Sequence, residues 1–283
     1  MQIGRLLYQE TPQWCRILDG RPTLLKDWHR LMARGIEQGW DALRNLDGPA
    51  PVDLHEPEIH WLPPVTPTAK IFCVGVNYGR HLAESGRTAT AHPSLFLRHY
   101  DSFVGHRQSI VKPSNSSQFD FEGELAVVIG RSARHVHASD AMAYVAGYTC
   151  MAENSLRDFQ KHTTQVTAGK NFEHSGGIGP WIVPRDIVAS PGELNLTTRL
   201  NGQVVQQARV AELIFPIPQL IAYISSFTTL HPGDLIATGT PEGVGFKRQP
   251  PLFMKEGDHL EVEVDQVGAL STRVSEEPAT KPL

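Results

Sequence analysis

Two glutamates, Glu122 and Glu124, open the apolar stretch FDFEGELAVVIG at residues 119–130. The run that follows them reads as a buried strand. Side chains alternate faces along a strand, so both carboxylates look the same way, roughly 7 Å apart along the chain. Like charges at that spacing repel, and a buried carboxylate is costly unless something neutralises it. A third carboxylate, Glu153, ends the apolar stretch GYTCMAEN at residues 147–154. Three carboxylates with no nearby Cys or His ligand pattern suit a hard, oxygen-seeking ion such as Mg2+ or Mn2+ rather than Zn2+. Three protein ligands would leave about three octahedral positions for water or substrate, as in catalytic sites. The plainer alternative is a solvated strand face carrying an ExE pair, and spacing alone leaves both open.

A second pair, His81 and Glu84, lies in GRHLAESG at residues 79–86. In a helix i and i+3 share a face, so the carboxylate can orient the imidazole and stabilise its protonated form. A His held this way can take a proton from water as a general base. A surface ion pair on a small helix would look the same in sequence. Lys170 in TAGKNF is a surface residue unless something draws it inward. The glycine-rich ATGTPEGVGF, residues 237–246, matches neither GxGxxG nor the phosphate-binding P-loop. His135 and His137 in RHVH share a strand face, as a two-His metal arm would, but 13 histidines make that coincidence easy. His99 and His106 flank YDSFVG, and either could border a pocket.

The elements that must position these groups are mostly short strands. SIVKP, GELAVVIG, GYTCMAEN, GPWIVP, LNLTTRLNGQVV, DLIATG and HLEVEVDQVGALSTRV all carry strand and turn signals, as do residues 1–20. Helices are expected over SDAMAYVA and LIFPIPQLIAYISSF, and over residues 23–46, where Leu24, Trp28, Leu31, Met32 and Ile36 recur at helical spacing. Many strands with few helices, not in strict alternation, argue for a β-rich α+β fold rather than a doubly wound parallel sheet. A Pro-rich stretch at residues 48–67 places a boundary near Thr66. It separates a small N-terminal α+β domain, residues 1–66, from a larger domain at 67–274, followed by a frayed polar tail at 275–283.

A chain of 283 residues with 40% hydrophobic content can bury one large core. The 26 basic and 30 acidic residues give a formal charge of -4 without long runs of one sign, which makes nucleic acid and acidic membranes poor partners. Cys15, Cys73 and Cys150 are odd in number and widely spaced, which fits a reducing cytoplasm. The N-terminus has no signal-peptide pattern, and no apolar run approaches about 18 residues. A cytoplasmic protein is expected.

VGVNYGRHLAESG, FEGELAVVIG, GYTCMAENSLRDFQ, TAGKNF, GPWIVP, LNGQVVQ, IAYISSFTTLHPGDLIATGTPEGVGF and FMKEGDHLEVEV follow one another here. In that order they resemble the fumarylacetoacetate hydrolase superfamily, most closely its bacterial acylpyruvate hydrolase-like branch. The resemblance runs from about Lys70 to Val274. It implies a mixed β-sheet roll for the larger domain, and a homodimer. It places the metal ligands at Glu122, Glu124 and Glu153 and the cofactor as Mg2+ or Mn2+. The family usually has Asp where this chain has Glu153, in a stretch like N-D-x-S-x-R-D-x-Q; the longer Glu, or Asn154, would have to serve. His81 and Glu84 fall on the family's H-x-x-E lid pair, and Lys170 on its active-site lysine, which can stabilise an enolate. Gln160 falls on a residue that binds water or substrate, while Arg157 and Asp158 are expected to brace the strand–helix turn by pairing with each other. Gly239 and Thr240 fall on the segment that receives a substrate carboxylate. The expected reaction is hydrolysis of the C–C bond of an acylpyruvate-like 2,4-diketo acid to pyruvate and a carboxylic acid, in aromatic catabolism. The alternative on the same site is decarboxylation or tautomerisation of oxaloacetate-like acids, or hydration or isomerisation of an unsaturated 2-oxo acid.

Overall fold

The computed structural model describes residues 1–25, 59–188 and 190–277. Three short strands come first: β1 (Gln2–Tyr8), β2 (Thr11–Leu18) and β3 (Arg21–Leu25) form an antiparallel meander. Beyond Leu25 the helix expected over 23–46, with Trp28 and Trp40, lies outside the described residues. So do the first part of the Pro-rich stretch and the last six residues of the tail.

After β4 (His60–Leu62), β5 (Ile71–Gly75) leads into helix α1 (Gly79–Ser85), which ends at Gly86. Gly86 has φ +70°, the left-handed cap that glycine adopts without strain. β6 (Ser94–Arg98), β7 (Phe103–Val104), β8 (Ser109–Lys112) and β9 (Phe119–Asp120) precede the central strands β10 (Gly123–Ile129) and β11 (Val145–Ala152). β12 (Ser155–Leu156) and the single-turn helices α2 (Arg157–Gln160) and α3 (Thr167–Lys170) follow. Then come β13 (Gly176–Pro184), β14 (Asn195–Leu200), β15 (Gln203–Arg209), helix α4 (Ile217–Phe227), β16 (Leu235–Ala237), β17 (His259–Val264) and β18 (Gly268–Glu276).

One large mixed sheet has the order β3-β2-β1-β13-β11-β10-β16-β5-β6, and a second has β15-β14-β17-β18-β8. This is the β-rich mixed-sheet architecture expected. The N-terminal meander joins the large sheet through β1 and β13, with Ile3 opposite Ile182.

The unbroken apolar run of β10 follows from burial on both faces. Leu125, Val127 and Ile129 point into the core shared with Leu196, Val262 and Leu270 of the second sheet. Ala126 and Val128 join a separate cluster with Ile3, Cys73, Met151 and Ile178. Each such aliphatic side chain contributes roughly 1.5–3 kcal/mol by leaving water.

Four expectations are corrected, the first at Thr23–Leu25, read as the start of a helix and found in β3, where they pair with β2. SDAMAYVA is not a helix: only Ala141–Tyr144 makes a 3-10 turn, and β11 begins at Val145 because that chain pairs with β10 and β13. The helix expected from Leu213 starts at Ile217, since Pro216 cannot donate an amide to a preceding turn and caps it instead. β18 runs to Glu276, where its last residues pair with β8, two positions past the strand end read at Val274. No helix among the described residues is long and apolar enough to cross a membrane.

Candidate active site

Glu122 and Glu124 bracket the first residue of β10, and Glu153 follows the last residue of β11. Gly123 lies opposite Ala152 in that pairing, and the Glu153 amide donates to the Glu122 carbonyl at 2.8 Å. The ladder therefore carries the three carboxylates to one place: an oxygen from each lies within 4.8 Å of the others, and all three residues are buried. Gly123 must lack a side chain, because a Cβ there would stand 2.0 Å from Thr198 Oγ1 of the second sheet. Close sheet packing on one side thus fixes the two glutamates on the other.

Three buried cations surround this triad. Lys170 Nζ, at the end of α3, donates to Glu122 Oε1 at 3.0 Å, to the Glu153 carbonyl at 3.1 Å and to Glu153 Oε2. Arg98, at the end of β6, donates to Glu153 Oε1 at 3.0 Å and to the Asn154 carbonyl at 3.1 Å, and its other nitrogens bond Ser102 and Ser175. Arg157 donates through Nε to Asp120 Oδ2 at 2.8 Å. Its Nη2 forms an ion pair with Glu122 Oε1 at 2.8 Å. Arg157 thus pairs with Asp120 and Glu122 rather than with Asp158, whose carboxylate accepts from Ser116 Oγ at 2.8 Å.

Glu124 differs from its neighbours, because it is bonded by the Gly239 amide at 2.7 Å and by no cation. Burial, and then the Glu153 and Glu122 carboxylates, push its pKa well above the usual carboxylate range. Burial acts the same way on Glu122, but Arg157 and Lys170 outweigh it and hold that group at about 2. Burial would lower Lys170, yet Glu122 and Glu153 carry it above the usual lysine value. The donor set is three hard oxygens on rigid strands, one of them short of positive charge. That set fits a divalent cation such as Mg2+ or Mn2+ held by Glu122, Glu124 and Glu153.

A cavity of about 620 Å3 opens over the triad, lined by His81, Glu122, Glu153, Arg157, Gln160, Lys170 and Thr240 among others. His81 is buried on α1 with Nδ1 at 2.9 Å from Glu84 Oε2. The other oxygen of Glu84 accepts the Gly243 amide at 3.1 Å. Glu84 therefore orients His81 and also ties α1 to the glycine-rich turn, assisted by an Arg80–Glu242 contact of 3.4 Å. Gln160 Oε1 accepts from Arg157 Nη1 at 2.9 Å.

The glycine-rich segment is tied to the strands that carry the triad. The Gly239 amide belongs to Glu124, and a Cβ on Gly239, whose φ is +108°, would lie 2.7 Å from that of Asn77. Thr240 lines the cavity, but its hydroxyl donates to the Gly123 carbonyl at 2.9 Å and accepts from Gln206 Nε2 at 2.8 Å. The Gly239 amide and the Thr240 hydroxyl thus each have a partner within the chain.

His99 and His106 do not line the cavity. His106 is buried and accepts the Ser271 amide at 3.1 Å. His135 and His137 are exposed, each with a local partner, Arg134 and Ser139. Arg98 is the buried cation beside the triad that sequence reading passed over. The signal for Arg98 is a lone cation in the apolar strand SLFLR.

Residues 70–275 match the family described as fumarylacetoacetate (FAA) hydrolase C-terminal. A human mitochondrial oxaloacetate tautomerase is 40% identical over 255 residues, which cover 89% of this chain and 81% of that protein. A fumarylacetoacetate hydrolase from the psychrophile Exiguobacterium antarcticum superposes with a TM-score of 0.84 at 28% identity, covering 98% of this chain and all of that one. A maleylpyruvate hydrolase from Sphingobium sp. SYK-6, solved with manganese(II) and pyruvate, superposes with a TM-score of 0.78 at 27% identity, again covering 98% and 100% of the two chains.

Proposed function

The chain belongs to the fumarylacetoacetate hydrolase family, and from that premise we propose that it is a divalent-metal-dependent enzyme of 2-oxo acids whose reaction is the keto–enol interconversion of oxaloacetate. The observation that carries this reading is the likeness to the human tautomerase across most of both chains, on top of a buried three-carboxylate site. It reverses the order in which sequence alone ranks hydrolysis and tautomerisation.

Glu122, Glu124 and Glu153 would hold the ion. Bound there, Mg2+ or Mn2+ supplies Lewis-acid polarisation to the keto group and adjoining carboxylate of a 2-oxo acid. The remaining work falls to side chains. Glu84 accepts the Nδ1 proton of His81, so Nε2 is the nitrogen with a free lone pair. In tautomerisation the C3–H bond breaks, Nε2 takes that proton as the electron pair moves into the C2–C3 double bond, and the protonated ring then gives the proton to the C2 oxygen, which restores neutral His81. Lys170, buried against Glu122 and Glu153, places a fixed ammonium where negative charge develops on that oxygen.

The same groups favour hydrolysis as the second reading, because a His–Glu dyad that can activate water lines the cavity. His81 would take a proton from water as it adds to the C4 carbonyl of a 2,4-diketo acid. The C3–C4 bond would then break to release pyruvate and a carboxylic acid.

A product-resolved NMR assay with oxaloacetate, acetylpyruvate and fumarylpyruvate, run with Mg2+, Mn2+ or chelator, separates these readings. Chelator-sensitive acceleration of oxaloacetate keto–enol exchange, without CO2, supports the tautomerase. Release of pyruvate with a second acid moves the assignment to hydrolase, and CO2 to decarboxylase. No metal-dependent turnover of any of the three overturns the proposal.

A further inference from the structure

The cavity lining is unevenly charged. Five basic residues, Arg87, Arg157, Lys161, Lys170 and Lys247, face it against two acidic ones, Glu122 and Glu153, in a chain whose formal charge is -4. Arg157 and Lys170 are paired with the inner carboxylates. Lys161 and Lys247 are exposed and have no carboxylate partner among the described residues. Both nevertheless converge on one ring: Lys247 Nζ is 5.1 Å and Lys161 Nζ 5.6 Å from the centroid of Phe246, which also stacks on the Arg157 guanidinium at 4.4 Å.

Phe246 is itself fixed, since Asp120, the partner of Arg157, accepts the Gly245 and Phe246 amides at 2.7 and 3.1 Å. Three cations therefore gather around one ring: a guanidinium paired with Asp120 and Glu122, and two ammonium groups with no carboxylate partner among the described residues. Unpaired like charges gathered at a cavity mouth raise each other's energy and attract an anion. The cavity is also roomy for a 2-oxo acid bound only at its inner end, lying within the roughly 300–1,000 Å3 range of small-molecule sites.

We infer that Lys161 and Lys247, held against Phe246, bind the distal carboxylate of the substrate and make this site selective for 2-oxo dicarboxylic acids over monocarboxylic ones of equal length. The inference rests on the 2-oxo acid reading above but not on which bond is made or broken. Arg87, which follows α1 and lines the same cavity, adds positive charge to that capture.

The test is calorimetric titration of the Mn2+-loaded protein with two pairs of equal length: 2-oxoglutarate against 2-oxopentanoate, and 2-oxoadipate against 2-oxohexanoate. The wild type is expected to bind the diacid at least about tenfold tighter in one or both pairs, with the preference shrinking as salt rises. The Lys161→Met, Lys247→Met double variant keeps both stems on Phe246 and is expected to narrow that preference to within about twofold. The Lys161→Arg variant is expected to retain it. These exposed substitutions leave the core untouched, and an unchanged Tm verifies it. Equal affinity for the paired acids, binding of none of them, or a preference that survives the double substitution overturns the inference. Because the readout is binding, a protein that discriminates the acids yet turns over neither oxaloacetate nor a diketo acid overturns the proposed reaction and leaves this inference standing.

Discussion

Two cavities of similar size sit in this molecule and differ in nearly everything else. The one over the carboxylate triad has a volume of about 620 Å3 and is lined by charged side chains, several of them buried. The other, about 680 Å3, is lined by Met142, Tyr148, Val188, Leu213, Pro216 and Ile217 together with a few polar groups. Its Arg185 donates to the Met142 carbonyl at 2.8 Å and lies 3.4 Å from Asp186, so its charge is already answered locally. Volume therefore says little about chemistry. The triad cavity is distinguished by charge carried into the interior and left partly unanswered, at Glu124 and at the two rim lysines.

The sharpest way to break the comparison is to remove charge from the triad. Glu122→Gln is expected to lower metal-dependent turnover by about three orders of magnitude or more, and Mn2+ affinity by more than the ~100-fold typical of losing an outer partner. Calorimetry with Mn2+ checks the second part, and unchanged affinity would remove Glu122 from the metal site. His81→Ala is expected to cost about 100-fold or more in turnover while leaving Mn2+ binding within about twofold; full activity in this variant would take His81 out of the mechanism. Arg98→Met leaves Glu153 with one buried cation fewer and should destabilise the fold by about 3–5 kcal/mol, read from denaturant unfolding.

A buried titratable group outside the triad cavity sharpens the contrast, because it shows what burial does without a counter-charge. Burial, with Arg107 nearby, lowers His106 to about 4, and its neutral ring accepts the Ser271 amide. Its unfolded value is near 6.5, so the unfolded chain binds the extra proton between the two values. The contribution is complete above about pH 6.5 and is lost as pH falls towards 4, up to about 3 kcal/mol. His106→Asn keeps an acceptor near the same place and should flatten that part of the stability–pH curve; an unaltered curve would show that His106 does not govern it. The smallest effect is expected at the apolar cavity, where Ala211→Phe should leave turnover within about twofold. A large loss of activity there would mean the second cavity is coupled to the first.

What sequence made legible follows from local rules. The doubly buried β10 appears as an unbroken apolar run, and the alternation of side chains correctly puts Glu122 and Glu124 on one face. The short helix α1 is readable from His81, Glu84 and its Gly86 stop. Contacts between distant segments are not readable this way. Arg98 reaches Glu153 across 55 positions, and Arg157 reaches Asp120 across 37. The expected Arg157–Asp158 pair failed because neighbouring residues at the head of a helical turn point apart, and Ser116 and Asp120 compete for them. The bond from the Gly239 amide to Glu124, across 115 positions, is likewise invisible locally. Pro216 and the pairing of Val145 explain the two misplaced helix limits: each is a tertiary or covalent constraint overriding a periodic pattern.

Glu84 has only two oxygens, and they answer to different parts of the chain: one to the His81 ring on α1, the other to the Gly243 amide 159 residues away. The carboxylate therefore works as a coincidence detector. The imidazole is held in its orientation when α1 and the glycine-rich turn are both in place. A displacement of the turn alone withdraws one of the two bonds that hold the group behind His81, so the aim of the ring depends on where residue 243 sits.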